Sequence, residues 1–158
     1  MNDTPRIALV GCGYWGKNLC RNFSALGALA MVVDSTETGQ VNARSIAADV
    51  QFSSKIEDAL TNPDIQALAL ATPAETHAEL AIRAMESGKD VFVEKPMALT
   101  LEDAEKMREV AEETGSILMV GHLLEYHPAI SKLKKLKIPK FKSSMYQKIE
   151  RSTFSVIH

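Results

Sequence analysis

The chain has 158 residues, of which 46% are hydrophobic and 24% are charged, and its net charge at pH 7 is −2. This length suits one domain with a buried core, and the composition excludes a wholly disordered chain. No apolar run approaches the length of a membrane span or a signal-peptide core, so we expect a cytoplasmic protein without a membrane partner.

Short apolar runs recur along the chain and are interpreted as strands. They are nearly continuous in apolar residues, which is typical of parallel strands that are buried on both faces. The clear runs are residues 6–10, 28–34, 67–71, 90–94 and 117–121, with a weaker one at 50–52.

Three segments between these runs have apolar residues at helical spacing. Two of them, residues 15–26 and 76–87, have stripes that consist of Leu19, Phe23 and Leu26, and of Leu80, Ile82 and Met85. The third follows Thr100 and ends at Gly115, with a predicted buried stripe of Leu101, Ala104, Met107 and Ala111. Asp103 is a candidate for the return half of a capping box at Thr100. Alternating strands and helices predict an α/β fold with a doubly wound, Rossmann-type parallel sheet.

The first strand runs directly into the sequence GCGYWG, in which Gly11, Gly13 and Gly16 have the G-x-G-x-x-G spacing. In a dinucleotide-binding turn the first glycine permits the tight turn and the second lets the backbone approach the pyrophosphate. The third lets helix and strand pack closely. The phosphates then lie at the positive end of the following helix, so this strand–turn–helix context predicts a dinucleotide site.

The next strand ends in Asp34, at the distance from the turn where dinucleotide-binding folds place an acid. A carboxylate there accepts hydrogen bonds from both ribose hydroxyls of NAD and repels the extra phosphate of NADP. No arginine follows to favour that phosphate, since the next residues are Ser35, Thr36 and Glu37. We therefore predict NAD as the cofactor; the simpler alternative is that Asp34 caps a loop.

Tyr14 and Trp15 lie inside the turn and are candidates for walls of the cofactor site. The alternative for Trp15 is burial, because the only tryptophan of a small domain is more often part of the packed interior. Cys12 and Cys20 form neither a disulfide framework nor a zinc spacing, so we predict no metal and interpret Cys20 as a core residue.

Two further segments follow strands at the carboxyl edge of the predicted sheet, where open α/β folds bind ligands. The segment ATPAETH contains Thr72, Pro73 and His77, and a histidine in the first turn of a helix is usually exposed. The segment EKP, residues 94–96, contains Lys95 at a strand end, where a lysine is normally solvated. In isolation neither segment indicates a function.

Together these motifs resemble the Gfo/Idh/MocA family, named for glucose–fructose oxidoreductase and inositol dehydrogenase. The resemblance runs from Arg6 to about Ile130 and rests on GCGYWG with Asp34, on ATPAETH, on EKP and on GHLLEYHPA at residues 121–129. EKP is the most specific of the four. The form of the first and last motifs is most similar to bacterial members that oxidise nucleotide-linked sugars.

The resemblance implies an NAD-dependent oxidoreductase that transfers a hydride from a hydroxyl-bearing carbon of a sugar or nucleotide sugar. It implies that Lys95 is catalytic, holding the reacting hydroxyl beside the nicotinamide and favouring its deprotonation when partly desolvated. Glu94 is implied to orient the nicotinamide. The residues implied to line the nicotinamide pocket are Thr72, Pro73 and His77. Those implied to face the substrate are His122, Glu125 and His127.

The charge of the chain reverses near residue 130. From Ile130 onward there are eight basic residues and one acidic residue, a net charge of +7, whereas the preceding part has 10 basic and 19 acidic residues, a net charge of −9. We therefore predict a dinucleotide-binding domain over residues 1–130 and a basic linker helix with a divergent tail over residues 131–158. Clustered lysines neutralise phosphates, but this run lacks a recognition motif, so we expect no nucleic-acid partner.

Members of the family continue into a second domain. The resemblance implies that this domain supplies most of the sugar pocket, a catalytic histidine in an Asp-x-x-x-His helix motif and usually the oligomer interface. The 28 residues after Ile130 are too few to build it, so we expect that domain to be missing and the chain alone to be weakly active or inactive. Apolar surface left exposed is compatible with a homo-oligomer. The alternative is a catalytically silent dinucleotide-binding regulator, in which EKP would have no evident purpose.

Overall fold

The computed structural model describes residues 4–122 and the single helical positions Pro128 and Lys132. Apart from Lys132, the predicted linker helix and basic tail therefore lie outside the described residues, as do two of the three candidates for substrate contact, Glu125 and His127.

Six parallel strands form one sheet in the order β3-β2-β1-β4-β5-β6. They are β1 (Ile7–Val10), β2 (Leu29–Val33), β3 (Gln51–Ser53), β4 (Ala67–Leu70), β5 (Asp90–Val93) and β6 (Leu118–Val120). In this order, which is that of the Rossmann fold, the chain builds outward from β1 to β3 and then returns to start the other half at β4. The predicted fold class is confirmed, and each predicted strand is present, including the weak third one.

Within residues 4–122 five α-helices connect the strands: α1 (Gly16–Ala25), α2 (Glu37–Ile46), α3 (Glu57–Leu60), α4 (His77–Glu86) and α5 (Leu101–Thr114), with a short 3-10 helix (Ala74–Thr76) directly before α4. The sequence predicted only α1, α4 and α5. In α2 only Gly39 and Ala43 are buried, and α3 is a single turn, so neither has the apolar stripe that helical periodicity detects. No helix in this described part combines the length and apolar character needed to span a membrane.

The core lies on both faces of the sheet. Successive residues of a strand point to opposite faces, so Leu9 packs with α1 and α2, whereas Ala8 and Val10 pack with α4 and α5. Cys20 is fully buried on the α1 side, as predicted. Because all six strands are parallel, the loops that follow the strands meet at the carboxyl edge of the sheet.

Two leucines that were predicted to be buried are exposed. Leu26 is 69% exposed because it follows the last residue of α1, where the chain turns at Gly27. Leu101 is 75% exposed because it is the first residue of α5, before the part of that helix that packs. The periodicity thus extended each stripe one turn too far. The buried residues of α5 are Met107, Val110 and Ala111.

The start of α5 follows the capping prediction in a modified form. The Oγ1 atom of Thr100 accepts a hydrogen bond from the amide of Asp103 at 3.0 Å and donates one to its carboxylate at 2.7 Å. In the usual capping box the acid instead accepts from the amide of the cap residue. The helix ends at Gly115, which has the left-handed φ of 71° expected of a glycine stop.

Candidate active site

The glycine turn joins β1 to α1 through very close backbone contacts. A Cβ on Gly11 would lie 2.8 Å from the carbonyl oxygen of Ala71, and one on Gly16 would lie 2.0 Å from the carbonyl oxygen of Gly11. Backbone atoms cannot yield to such contacts, so both positions require glycine. At Gly13 no described atom lies within 4 Å of the Cβ position. The turn therefore packs tightly on one side and is open on the other, where a pyrophosphate can approach the backbone.

The N-terminus of α1 is left free of protein anions. Trp15, at its N-cap position, makes no side-chain capping bond to the described chain, and the first turn contains no acidic residue. By contrast α2 and α5 begin with Thr36 and Thr100, whose hydroxyls accept hydrogen bonds from helix amides. The positive end of α1 is thus available to an anionic group of a ligand.

Two cavities lie beside this turn at the carboxyl edge of the sheet. The larger cavity, of about 490 Å³, lies between the turn, the end of β2 and the loop after β4. Its lining is mainly apolar, and consists of Val10, Gly11, Gly13, Val33, Asp34, Ser35, Thr36, Ser54, Ile56, Ala71, Thr72, Pro73, Thr76 and Leu80. The smaller cavity, of about 230 Å³, is lined by Trp15, Ala71, Thr72, Ala74, His77, Glu94 and Lys95. The shared Ala71 and Thr72 make the cavities neighbours along one sheet edge.

Asp34 lies at the end of β2 in the wall of the larger cavity. Its Oδ2 accepts a hydrogen bond from the amide of Cys12 at 2.6 Å, and its Oδ1 accepts from the amide and the hydroxyl of Thr36 at 2.8 and 2.7 Å. A carboxylate has about four acceptor positions, so one position on Oδ2 remains for a ligand. The loop-capping contacts that formed the alternative for Asp34 are present, and they fix its carboxylate beside the cavity.

His77 is only 1% exposed, so the prediction of an exposed histidine at a helix start is wrong. Its Nδ1 lies 2.8 Å from the carbonyl oxygen of Pro96 and its Nε2 lies 2.9 Å from that of Thr72. A carbonyl oxygen only accepts, so the ring nitrogen that carries a proton donates to the oxygen beside it. The ring thereby ties the loop after β4 to the loop after β5, which carries Lys95.

Trp15 is 42% exposed, so the alternative that it belongs to the packed interior is wrong. Its Nε1 donates a hydrogen bond of 2.6 Å to Oε1 of Glu94, and its ring is one wall of the smaller cavity. Glu94 is only 6% exposed, and its Oε2 also accepts from the amide of Lys95 at 3.3 Å. A Cβ on Gly121 would lie 3.2 Å from the carboxyl carbon of Glu94, so the glycine leaves room for this carboxylate.

Lys95 is exposed at the rim of the smaller cavity. Within the described part of the chain no carboxylate lies within ion-pair distance of its ammonium group. The described residues therefore leave Lys95 in water, and the desolvation that was expected of it requires a group that covers it.

The other candidate residues lie outside the cavity linings or beside β6. Tyr14 is 87% exposed, and Nζ of Lys17 lies 5.1 Å from the centroid of its ring. Tyr14 is not part of the lining of either cavity. His122 is half-buried directly after β6.

Cys12 has a role that the sequence did not reveal. Its amide donates to Asp34, and its carbonyl oxygen accepts a hydrogen bond of 2.8 Å from Nδ2 of Asn42 in α2. The hydrogen bond with Cys20, together with burial and the nearby carboxylate of Asp34, raises the pKa of the Cys12 thiol, which stays protonated. Cys12 is therefore a fixed, unreactive point between the turn and α2, and no spacing rule singles out Asn42 as its partner.

The chain matches known proteins over this whole region. The family model GFO_IDH_MocA, described as an oxidoreductase family with an NAD-binding Rossmann fold, matches residues 5–122. The chain is 35% identical over 134 residues to 2,7-anhydro-N-acetylneuraminate hydratase of Mediterraneibacter gnavus. This match covers 84% of the present chain and 35% of the hydratase. It is 34% identical over 142 residues to scyllo-inositol 2-dehydrogenase (NAD(+)) of Bacillus subtilis, covering 85% of this chain and 40% of the dehydrogenase.

A similar solved structure is that of the WlbA dehydrogenase from Chromobacterium violaceum in complex with NADH and UDP-GlcNAcA. It has a TM-score of 0.69 and 28% identity, and the match covers 76% of this chain and 36% of that one. The chain thus spans between 35% and 40% of the length of these three proteins. The family model covers the sheet, the glycine turn and the residues of both cavities. The chain belongs to the Gfo/Idh/MocA oxidoreductase family, of which residues 5–122 are the NAD-binding Rossmann domain.

Proposed function

We propose that the chain holds NAD across the two cavities and that Lys95 acts on a hydroxyl of a sugar, polyol or nucleotide sugar. The observation that carries the proposal is the succession of groups along one sheet edge. Asp34 lies in the larger cavity, Gly13 and the free end of α1 follow, and Lys95 lies at the smaller cavity.

The larger cavity suits the adenosine half of the cofactor. Its apolar walls include Ile56 and Leu80, which suit the faces of an adenine ring, and its carboxylate has one acceptor position left for a ribose hydroxyl. The open side of Gly13 and the N-terminus of α1, which no described side chain caps, suit a pyrophosphate. The nicotinamide half is thereby assigned to the smaller cavity, beside Trp15 and Glu94.

NAD, when bound, supplies a hydride acceptor. Oxidation of an alcohol to a carbonyl removes a hydride from carbon and a proton from oxygen, and the protein's part is to position the hydroxyl and assist loss of the proton. The ammonium group of Lys95 hydrogen-bonds the hydroxyl oxygen and stabilises negative charge there, so the proton leaves more readily to solvent or to a base. The buried contacts of His77 hold the loop from which Lys95 projects.

The substrate class is supported by two of the similar proteins. One is named a scyllo-inositol dehydrogenase, and the other was solved with a nucleotide sugar. A third is named a hydratase, so the proposal of net oxidation rests on the dehydrogenases and on the position of Lys95.

Calorimetric titration of the 158-residue chain with NAD and, separately, NADP tests the cofactor assignment. We expect NADP to bind at least about tenfold more weakly, because the carboxylate of Asp34 repels the extra phosphate. Replacing this carboxylate in Asp34→Ala is expected to abolish most of that difference. Equal affinities for both cofactors in the unaltered chain would contradict the role of Asp34, and binding of neither would contradict the proposal as a whole.

Formation of reduced cofactor with scyllo-inositol and with UDP-GlcNAcA tests the chemistry. We expect slow turnover by the chain alone. Among the described residues of the smaller cavity, His77 is engaged by two carbonyl oxygens and Glu94 by Trp15, which leaves only Lys95 free to act on a hydroxyl. A rate that is no higher than that of the Lys95→Met variant on every hydroxyl substrate would exclude the proposed role of Lys95.

A further inference from the structure

We propose that Gly39 determines cofactor selectivity, because the lack of a side chain there holds the carboxylate of Asp34 in the orientation that favours NAD over NADP. The inference rests on the proposed function, since it concerns the ribose that Asp34 is proposed to bind. Gly39 itself lies outside the lining of both cavities, so it would act only through Asp34.

Gly39 lies in the first turn of α2, against the end of β2. A Cβ at this position would be 2.0 Å from Cγ of Asp34, 2.1 Å from its Oδ2 and 2.4 Å from its Oδ1. These are the three nearest atoms, and all belong to the one carboxylate. Because Gly39 lies within a regular helix, glycine is required here for space and not for an unusual backbone angle.

The carboxylate cannot move aside without losing the contacts that define it. Three donors hold it, namely the amide of Cys12 and the amide and hydroxyl of Thr36. The same hydroxyl accepts a hydrogen bond of 3.0 Å from the amide of Gly39, so a chain of hydrogen bonds runs from Gly39 through Thr36 to Asp34. An aspartate side chain has only two torsions, so a shift that clears a Cβ breaks bonds to an ionised group, which are stronger than neutral ones.

The Gly39→Ala variant distinguishes a role of Gly39 in holding the Asp34 carboxylate from a role in helix packing alone. Alanine is normally more favourable than glycine inside a helix. A penalty at position 39 would therefore come from Asp34, and it should vanish when Asp34→Ala removes the three atoms that a Cβ would meet. Thr38→Ala is the matched control, because Thr38 is the adjacent residue of α2 and is exposed.

The experiment compares the unaltered chain with Gly39→Ala, Asp34→Ala, the double variant and Thr38→Ala, by calorimetry with NAD and NADP and by thermal unfolding. We expect Gly39→Ala to weaken NAD about tenfold or more, since about 1.4 kcal/mol corresponds to tenfold, and to weaken NADP by less than about threefold. Thr38→Ala should change neither affinity by more than about twofold, and Gly39→Ala should have no further effect on either in the Asp34→Ala background.

Three results would each overturn the proposal. They are that Gly39→Ala weakens the binding of NAD and NADP equally, that it leaves the affinity for NAD unchanged, or that it has its full effect in the Asp34→Ala background, where the carboxylate is absent. If Gly39→Ala alone fails to fold, rescue of folding by Asp34→Ala supports the contact, and failure of the double variant overturns it. If the unaltered chain binds neither cofactor, the proposed function fails and the selectivity with it. An unchanged selectivity of Gly39→Ala in a chain that does bind NAD overturns only the role of Gly39.

Discussion

The two cavities differ in how their polar groups are held. In the larger cavity, Asp34 is fixed by Cys12 and by its near neighbour Thr36, all within the first half of the sheet. In the smaller cavity, Glu94 is held by Trp15, which is 79 positions away in the sequence, and Lys95 is exposed. One end of the site is thus organised locally, within β1, α1, β2 and the residues that follow β2, and the other is assembled by packing three loops together. We therefore expect variants of the two cavities to separate cofactor binding from turnover.

The largest effect is expected from Lys95→Met. It should lower turnover on a hydroxyl substrate by about 10²- to 10⁴-fold, the usual contribution of a positioned proton-transfer group. The affinity for NAD should fall much less, because the ammonium group is exposed at the rim of the smaller cavity and is absent from the lining of the larger one. Single-turnover formation of reduced cofactor and calorimetry measure the two quantities. A parallel loss of NAD affinity would show that Lys95 binds the cofactor. It would contradict the separation of cofactor binding from turnover between the two cavities.

The glycine turn gives the next largest effect and contains its own control. Gly16→Ala places a Cβ 2.0 Å from a backbone oxygen, so we expect a loss of about 3 kcal/mol in the free energy of unfolding and loss of NAD binding. Gly13→Ala meets no described atom within 4 Å, so the stability should hold while NAD affinity falls about tenfold, because the methyl group occupies the approach of the pyrophosphate. Thermal unfolding and calorimetry distinguish the two variants. If Gly13→Ala destabilised the chain as much as Gly16→Ala, the turn would not be open at Gly13.

Much of the locally organised half could be predicted from the sequence. The apolar runs marked each strand, and the spacing of Gly11, Gly13 and Gly16 before Asp34 located the turn, because these signals depend on residues close in sequence. The same reasoning could not find Gly39. Its importance depends on where α2 packs against Asp34, and the sequence did not predict α2 at all.

The assembled half could be predicted only in part. The motifs brought Thr72, His77, Glu94 and Lys95 to one sheet edge, as the structure confirms. The predicted environment of His77 was wrong because its position at a helix start says nothing about the loop after β5, whose Pro96 carbonyl oxygen lies against the ring. Burial at such a site is decided by how the loops after two different strands pack together, which the spacing within one motif does not record.

The smallest effect, and the finest test of the assembled cavity, is expected from Trp15→Phe. This change removes the donor to Glu94 while keeping an aromatic wall. Because the indole is 42% exposed and the amide of Lys95 still donates to the carboxylate, we expect a loss of only about 1 kcal/mol in stability and about threefold in NAD affinity.

Thermal unfolding and calorimetry of Trp15→Phe, of Glu94→Gln and of the double variant measure the coupling between the two side chains. Tyr14→Phe is the matched control, because Tyr14 is the adjacent aromatic residue and is 87% exposed. Strict additivity of the two changes would mean that the hydrogen bond contributes nothing to the cavity. Coupling of about 1 kcal/mol would show that the glycine turn and the loop after β5 stabilise each other across the sheet edge. A change at the turn would then reach the region of Lys95 through Glu94, so the two ends of the site would not be fully independent.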